Sequence, residues 1–206
     1  MDLASVDEVL GTTRSVRRRL DFDRPVAPEV IEECVALAAQ APTGMNREAW
    51  RFLVITDAAK KQGVADLYRR AMDRYASLRP SPLSPAQRAL SDRLHEIPAL
   101  ILVCSEGRPE SGNHAAEVAF YGSVLPAAWS LMLALRSRGL GSTWTTLLLV
   151  HERETADLLD IPDDVTQTIL LPVAYTRDAV LRRANRKGPE QVMYWNTWGA
   201  AREPAE

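Results

Sequence analysis

One segment of the chain restricts the possible folds more than any other, because it is long, apolar and uncharged. No charged residue occurs in the range 118–135, which is close to the shortest length that can span a bilayer. Gly122, Ser123, Pro126 and Ser130 interrupt the segment, and small residues of this kind suit close helix packing inside a folded domain equally well. We therefore expect a buried helix, placed at an interface, and no membrane partner.

The composition excludes several classes of partner. The 206 residues carry a formal net charge of -2, so the bulk charge attracts neither nucleic acid nor an acidic membrane surface. The two cysteines, Cys34 and Cys104, lie in apolar sequence without metal-ligand spacing, which favours buried, reduced thiols over a disulfide or a nucleophile. The N-terminus is acidic where a signal peptide would be basic. We therefore expect a cytoplasmic protein without nucleic-acid partners.

Helices and strands alternate along the chain in a pattern that indicates an α+β domain with a central sheet. A chain of this length can bury its own core, so a single domain over 1–206 is the expectation. Pro28 begins a helix that should end near Ala41, since the following proline disfavours helical geometry. Further helices are predicted over 6–12, 58–75, 85–95, 115–138 and 152–159, and β-rich runs over 50–55, 99–103, 143–150 and 168–175.

Four short motifs stand out from this background, and each is weak when taken alone. Two are basic clusters: on composition alone the first favours solvated surface over an anion site, and the second fits either equally well. The other two contain glycine after a helix and need be no more than helix stops and turns. The motifs are Arg14-Ser15-Val16-Arg17, Pro42-Thr43-Gly44-Met45-Asn46 with Trp50 behind it, Gly139-Leu140-Gly141-Ser142-Thr143-Trp144, and Arg182-Arg183-Ala184-Asn185-Arg186-Lys187.

In this order and at these separations, the four motifs resemble those of the FMN-dependent nitroreductase family. The resemblance covers almost the whole chain. It implies a nitroreductase-like fold, in which a central, mostly antiparallel sheet is flanked by helices. It also implies a homodimer that holds FMN at the interface between its subunits. The C-terminal tail, about 188–206, contains Tyr194, Trp195 and Trp198, and this aromatic content predicts that the tail packs on the partner subunit.

The resemblance also implies which residues contact the cofactor. Arg14 and Ser15 would bind the FMN phosphate, and Arg17 would lie near the pyrimidine edge of the flavin, where positive charge eases reduction. A backbone N–H near flavin N5 is expected from Thr146 or Leu147. The remaining expected contacts are Arg186 and Arg183 on the phosphate, and Pro42, Thr43, Gly44 and Asn46 from the second subunit.

The activity implied is that of an FMN-dependent oxidoreductase. NADH or NADPH would reduce the flavin, and a small acceptor such as a nitroaromatic or a quinone would then take the hydride in ping-pong order. No catalytic side chain and no metal is expected, because the cofactor carries the chemistry. The family tends to build its substrate cover at the segment 78–94, but the residues of this segment indicate no chemistry of their own, so its role stays open.

Several alternatives stay open at this stage. Two share the fold, a flavin-destructase-like and a dehalogenase-like enzyme. A third is a non-catalytic flavin-binding protein, and a fourth is a dimeric interaction protein without a cofactor, in which the basic clusters are only surface.

Overall fold

The computed structural model describes residues 2–202, so Met1 and the range 203–206 of the predicted domain and tail lie outside the described residues. Among the described residues the helices are α1 (Leu3–Thr12), α2 (Pro28–Ala38), α3 (Ala58–Ser77), α4 (Pro85–Asp92), α5 (His114–Ser137) and α6 (Glu152–Leu159). The strands are β1 (Leu20–Asp21), β2 (Trp50–Ile55), β3 (Ala99–Glu106), β4 (Leu140–Ser142) and β5 (Val165–Thr176). Short 3-10 helices lie at Gly44–Asn46, Leu94–Glu96, Leu147–His151 and Pro189–Gln191.

The five strands form one sheet, and all of their pairings are antiparallel. The strand order is β1-β5-β3-β2, and β4 also pairs with β5. The β3–β5 ladder runs from Ala99 opposite Val173 to Glu106 opposite Val165, with a bulge after Val103. This sheet, with helices packed on it, confirms the predicted α+β class with a central antiparallel sheet.

The strand β3 is buried on both faces because helices cover each side of the sheet. Ile101 and Val103 belong to a core that includes residues of α2 and α5. Leu100 and Leu102, which alternate with them, belong to a second core that includes residues of α3 and α4. A strand covered on both faces needs a continuous apolar sequence, which is what the run 99–103 provides. Both cysteines are free and buried, as predicted.

Local chemistry explains where several of the helices begin. Pro28 occupies the first turn of α2, where its missing N–H costs nothing. The Asp57 side chain accepts from the Lys60 N–H at 2.8 Å and so caps α3. Ser84 and Gln87 form a reciprocal capping box at the start of α4. These caps satisfy backbone donors that a helix start otherwise leaves without partners.

The uncharged segment 118–135 lies within α5, as predicted. Among the described residues, α5 is the one helix long and apolar enough to cross a membrane by length and composition. Its C-terminal half packs in the core through residues such as Leu131 and Leu135, both fully buried. Its N-terminal half has solvent-exposed apolar side chains, with Val118 57% and Tyr121 38% exposed. The helix is thus a core element at one end and an uncovered apolar surface at the other.

The structure corrects the prediction of a strand over 143–150. Only a single bridge forms there, between Thr145 and Leu170, and the chain then turns into the 3-10 helix Leu147–His151. Leu148 is fully buried in the core beneath this turn, so its side chain packs beside the sheet while its backbone stays out of the ladder. The apolar residues of this run are buried, but burial alone does not place their backbone in the sheet.

Helix boundaries also differ from the predictions by a few residues. The first helix begins at Leu3, where Asp2 caps it, and not at residue 6. The helix from Pro28 ends at Ala38. The predicted helix 85–95 ends at Asp92, and a separate 3-10 turn follows it. Fraying and tightening of last turns account for changes of this size.

The C-terminal tail is irregular apart from the turn Pro189–Gln191. Tyr194 and Trp198 pack on each other with ring centroids 5.0 Å apart, yet Trp198 remains 92% exposed. Aromatic side chains of this size are costly to leave in water. That the tail packs on a partner subunit stays a prediction.

Candidate functional site

The first basic motif lies in an extended segment between α1 and β1 and is held by hydrogen bonds to the chain after α5. The Val16 N–H donates to the Ser142 carbonyl at 2.8 Å, and the buried Thr143 hydroxyl donates to the Val16 carbonyl at 2.7 Å. The Ser15 hydroxyl oxygen accepts from the Trp144 N–H at 3.1 Å. The first and third motifs are therefore joined, and the side chains on either side of Val16 are held in place.

Gly141 lets these segments come together. A Cβ at this position would lie 2.9 Å from the Thr176 Cγ2 atom, 3.0 Å from the Leu20 Cδ2 atom and 3.1 Å from the Val16 Cβ atom. Because the neighbours are so close, only glycine fits without displacing them. The glycine of the third motif thus has a packing role that places the first motif.

A cavity of about 550 Å³ opens between the first motif, α5 and the C-terminal segment. Arg14 donates from its Nη1 atom to the carbonyl of Arg182 at 3.2 Å, which ties the late basic motif to the early one. The predicted site residues Arg14, Ser15, Arg17 and Arg186 all line this cavity, together with Thr13, Trp129, Met132 and Trp144. The two ends of the chain therefore contribute cationic side chains to one cavity.

Three other predicted residues do not line this cavity. Arg183 packs against Gly11, since a Cβ there would be 2.9 Å from the Arg183 Nε atom, and it is not among the residues that line the cavity. Thr146 and Leu147 stand where the 3-10 helix starts. The Leu147 N–H already donates to the Thr145 hydroxyl at 3.3 Å. Of the two predicted backbone donors, the Leu147 N–H is therefore already engaged within the protein, and contact of either residue with a cofactor stays a prediction.

The second motif is not brought to the cavity within one chain. The Gly44 N–H donates to the Ser123 hydroxyl of α5 at 2.9 Å, and Met45 and Asn46 both adopt left-handed backbone conformations. Met45 is 88% exposed. The motif, with Pro42, Thr43, Gly44 and Asn46, thus projects from the surface beside the open half of α5. Contact with a cofactor from a second subunit stays a prediction for these four residues.

Sequence reasoning missed the helical side chains around the site. Trp129 and Met132 come from α5 and line the cavity, although their spacing reads as ordinary core. Tyr68 of α3 is also missed, and its hydroxyl hydrogen-bonds to the Thr145 hydroxyl at 3.2 Å. Burial raises the pKa of Tyr68, and the positive charge of Arg17 opposes that rise. No local sequence signal separates these residues from the rest of the core.

The electrostatic balance of the site is strongly positive. Among residues 2–202, no carboxylate forms an ion pair with Arg14, Arg17 or Arg186. None of the cavity-lining residues is acidic, and none is a histidine or a cysteine. In the part of the chain described, no group of side chains could hold a metal ion. The arrangement suits an anionic ligand with a planar ring, since guanidinium groups bind phosphate and aromatic side chains pack on rings.

Comparison with known proteins agrees with this geometry. The family model "Nitroreductase family" matches residues 10–175. The iodotyrosine deiodinase of Thermotoga neapolitana is 30% identical over 178 residues, which cover 82% of this chain and 88% of that protein. Iodotyrosine deiodinase 1 of Mus musculus is 30% identical over 195 residues, covering 90% of this chain and 67% of that protein.

A more distant relative and a solved structure extend the comparison. The 5,6-dimethylbenzimidazole synthase of Rhodospirillum rubrum is 26% identical over 160 residues, covering 75% of this chain and 74% of that protein. A crystal structure of oxidized iodotyrosine deiodinase bound to FMN and 3-iodo-L-tyrosine superposes with a TM-score of 0.72 at 25% identity. It covers 93% of this chain and 98% of that one. With its fold, its motifs and its family match in agreement, the chain belongs to the nitroreductase family.

Proposed function

We propose that the protein is an FMN-dependent oxidoreductase that takes electrons from NADH or NADPH and passes them to a small acceptor. The observation that carries the proposal is the meeting of Arg14, Ser15, Arg17 and Arg186 in one cavity without a carboxylate partner in the described residues. A related structure binds FMN. Unpaired guanidinium groups repel one another, and a bound phosphate relieves that repulsion.

The residues of the cavity fit the parts of FMN. Arg14, Ser15 and Arg186 would hold the phosphate, and Trp144 and Trp129 offer aromatic surface to the remainder of the molecule. When bound, FMN supplies a centre that accepts and donates hydride. The protein's own contribution is position and charge. The cavity lining includes no carboxylate, histidine or cysteine.

Arg17 has a separate task in this proposal. It lines the cavity beside Ser15, and its positive charge acts to lower the pKa of Tyr68. A positive charge beside a flavin ring makes the cofactor easier to reduce. Tyr68 and Thr145 fix the start of the 3-10 helix, from which the Thr146 N–H would donate to the ring edge.

We also propose that the working form is a homodimer. The second motif lies away from the cavity of its own chain, and α5 beside it exposes Val118 and Tyr121. A partner subunit would cover this surface and bring Pro42–Asn46 to the cofactor of the other chain. Light scattering during size-exclusion chromatography measures the assembly. A folded monomer with full flavin occupancy would contradict the proposal.

The first experiment tests cofactor and activity together. The purified protein is examined by absorbance, the cofactor released by heat is identified by chromatography, and NADH or NADPH is added without oxygen. We expect a yellow protein that releases FMN and bleaches on reduction. Bound flavin that neither reductant bleaches would favour a non-catalytic binding protein. A colourless protein that takes up no FMN would favour an interaction protein and refute the proposal.

Two substitutions test the cavity assignment. Arg17→Ala and Arg186→Ala each remove a charged hydrogen-bond donor, which contributes about 1.5–3 kcal/mol. We therefore expect the Kd for FMN to rise about tenfold or more. Arg17→Ala should also lower the reduction potential, which Arg186→Ala should leave unchanged. Arg74→Ala, on the exposed side of α3, is the matched control. If both cavity variants hold FMN like the control, the assignment is wrong.

A dehalogenase-like enzyme is the second candidate, and the relatives favour it. Iodotyrosine deiodinases from two organisms are each 30% identical to this chain. Reduced protein is mixed with 3-iodo-L-tyrosine, a nitroaromatic or a quinone, and flavin reoxidation is followed for each. Release of iodide, together with flavin reoxidation that is faster with 3-iodo-L-tyrosine than with the nitroaromatic or the quinone, would favour the second candidate. A flavin-destructase-like activity, suggested by the synthase relative, would instead consume the flavin in oxygen.

A further inference from the structure

A second cavity, of about 650 Å³, adjoins the first and is lined by a further set of arginines. The two cavities share Arg14, Ser15 and Arg17. Arg18, Arg19 and Arg182 line the second cavity and not the first. These three side chains have no role in the cofactor site as proposed above.

The carboxylates nearest in sequence do not neutralise these arginines. Asp21 and Asp23 each accept a hydrogen bond from the Arg177 Nη2 atom at 2.6 Å. This pairing with Arg177 lowers the pKa of Asp21, so its carboxylate is both ionised and occupied. One carboxylate, that of Asp178, lies in the cavity wall. Positive charge is therefore in clear excess.

Backbone contacts hold one arginine of the second cavity, Arg19, in place. Arg19 has a φ of 58°, and Asp178 opposite it has a φ of 45°. The Arg177 N–H donates to the Arg19 carbonyl at 2.7 Å, and the Arg19 Nη1 atom donates to the Asp178 carbonyl at 3.1 Å. Left-handed conformations at residues other than glycine are unfavourable and occur preferentially at ligand sites. Two of them face each other here.

We propose that this second cavity binds a phosphate or carboxylate group of the substrate that exchanges at the flavin, an inference that rests on the proposed function. The shared Arg14 and Arg17 place the two cavities side by side, so a ligand whose charged end occupies the second can extend its reacting end into the first. Guanidinium groups bind phosphate and carboxylate in bidentate fashion. The anionic group could belong to the reductant, as in NADPH, or to the acceptor.

The test compares charged and uncharged substrates on the FMN-loaded protein. Arg18→Gln combined with Arg19→Gln removes two charges from the second cavity, and Arg74→Gln on α3 is the matched control. Stopped-flow reduction by NADPH is compared with reduction by the uncharged 1-benzyl-1,4-dihydronicotinamide. Reoxidation by 4-nitrobenzoate is compared with reoxidation by 4-nitrobenzyl alcohol. We expect the double variant to retain FMN and to need at least fivefold more of the anionic substrate for half-saturation.

The pattern of change identifies the source of the anionic group. A loss confined to NADPH assigns it to the reductant, and a loss confined to 4-nitrobenzoate assigns it to the acceptor. Equal half-saturation for all four substrates would overturn the inference, and so would loss of FMN from the double variant, since the cavity would then be part of the cofactor site.

The inference can be judged even if the proposed function fails. If the parent protein takes up no FMN, pyrophosphate is titrated into the parent and the double variant by calorimetry. Weaker binding to the double variant would support an anion site at Arg18 and Arg19, and equal binding would overturn it.

Discussion

Substitution of Gly141 by alanine tests whether packing in β4 positions the cofactor site. The new methyl group would lie 2.9–3.1 Å from atoms of Thr176, Leu20 and Val16. The contact with Val16 is at its Cβ atom, which cannot move without its backbone. Ser15 and Arg17 are the neighbours of Val16, so a shift of this backbone moves two residues of the cavity.

The size of the effect follows from two opposing contributions. Overpacking destabilises the folded protein by about 1–3 kcal/mol. Replacement of glycine stabilises it by about 0.4–1 kcal/mol, because the unfolded chain has less conformational entropy. We expect a net loss of about 1–2 kcal/mol, which for a chain of this size lowers the melting temperature by roughly 2–8 °C. The Kd for FMN should rise about tenfold, equivalent to about 1.4 kcal/mol.

The assay is a thermal melt without and with FMN, together with titration of FMN fluorescence. Gly63→Ala in α3 is the control, because the atoms nearest to its methyl group belong to one side chain and not to backbone: the two methyl ends of Leu158 at 2.7 and 2.9 Å and its Cγ atom at 3.4 Å. Alanine also favours a helix over glycine by about 1 kcal/mol, so the control should stay close to the parent in both measurements. If Gly141→Ala melts and binds FMN like the parent, the reasoning fails. An equal loss of affinity in both variants would show that the effect is not local.

Three further predictions concern stability and reactivity. Tyr68→Phe removes the hydrogen bond to Thr145, so urea unfolding should show a loss of about 1 kcal/mol, with flavin reduction slowed in the same variant; an unchanged midpoint and rate would contradict this. Burial raises the pKa of Cys104 to about 12, so a disulfide reagent at pH 8 should label neither cysteine until the protein is unfolded, and rapid labelling of native protein would refute the burial. Arg177 lowers the pKa of Asp21, so the ionised Asp21 carboxylate stabilises the fold above its ordinary pKa of about 4, and this stabilisation is lost as the pH falls below that value. In Arg177→Gln, the free energy of unfolding should therefore fall less steeply between about pH 5 and pH 2 than in the parent. Parallel plots of unfolding free energy against pH for variant and parent would exclude the linkage.

Much of the fold could be predicted because its local signals agree. Pro28 marks the start of α2, and the uniformly apolar run of β3 predicts a strand covered on both faces. The strand β1 could not be predicted, because its two residues pair with the far end of β5 and carry no pattern of their own. The segment 143–150 misleads for a different reason: a buried leucine looks the same in sequence whether its backbone joins the sheet or turns beside it.

Some residues of the candidate site could likewise be predicted from the sequence, and others could not. Arg14, Ser15, Arg17 and Arg186 belong to motifs that could be read directly, and the structure brings them to one cavity. Trp129 and Met132 could not be found, since a side chain that points from a helix towards a cavity has the same spacing as one that points into the core. Sequence motifs thus indicate the residues on extended segments, whereas the helical wall of a site needs coordinates.

The central position of β5 has a consequence for how the chain acquires its structure. This strand pairs with β1, β3 and β4, yet it is the last strand within residues 2–202. During synthesis, β2 and β3 can pair as soon as both have left the ribosome, but the other edge of β3 must wait for the final quarter of the sequence. An apolar edge left open in this way invites pairing with other chains, and long-range closure is intrinsically slow. Refolding should therefore be slow and should lose yield to aggregation as the protein concentration rises.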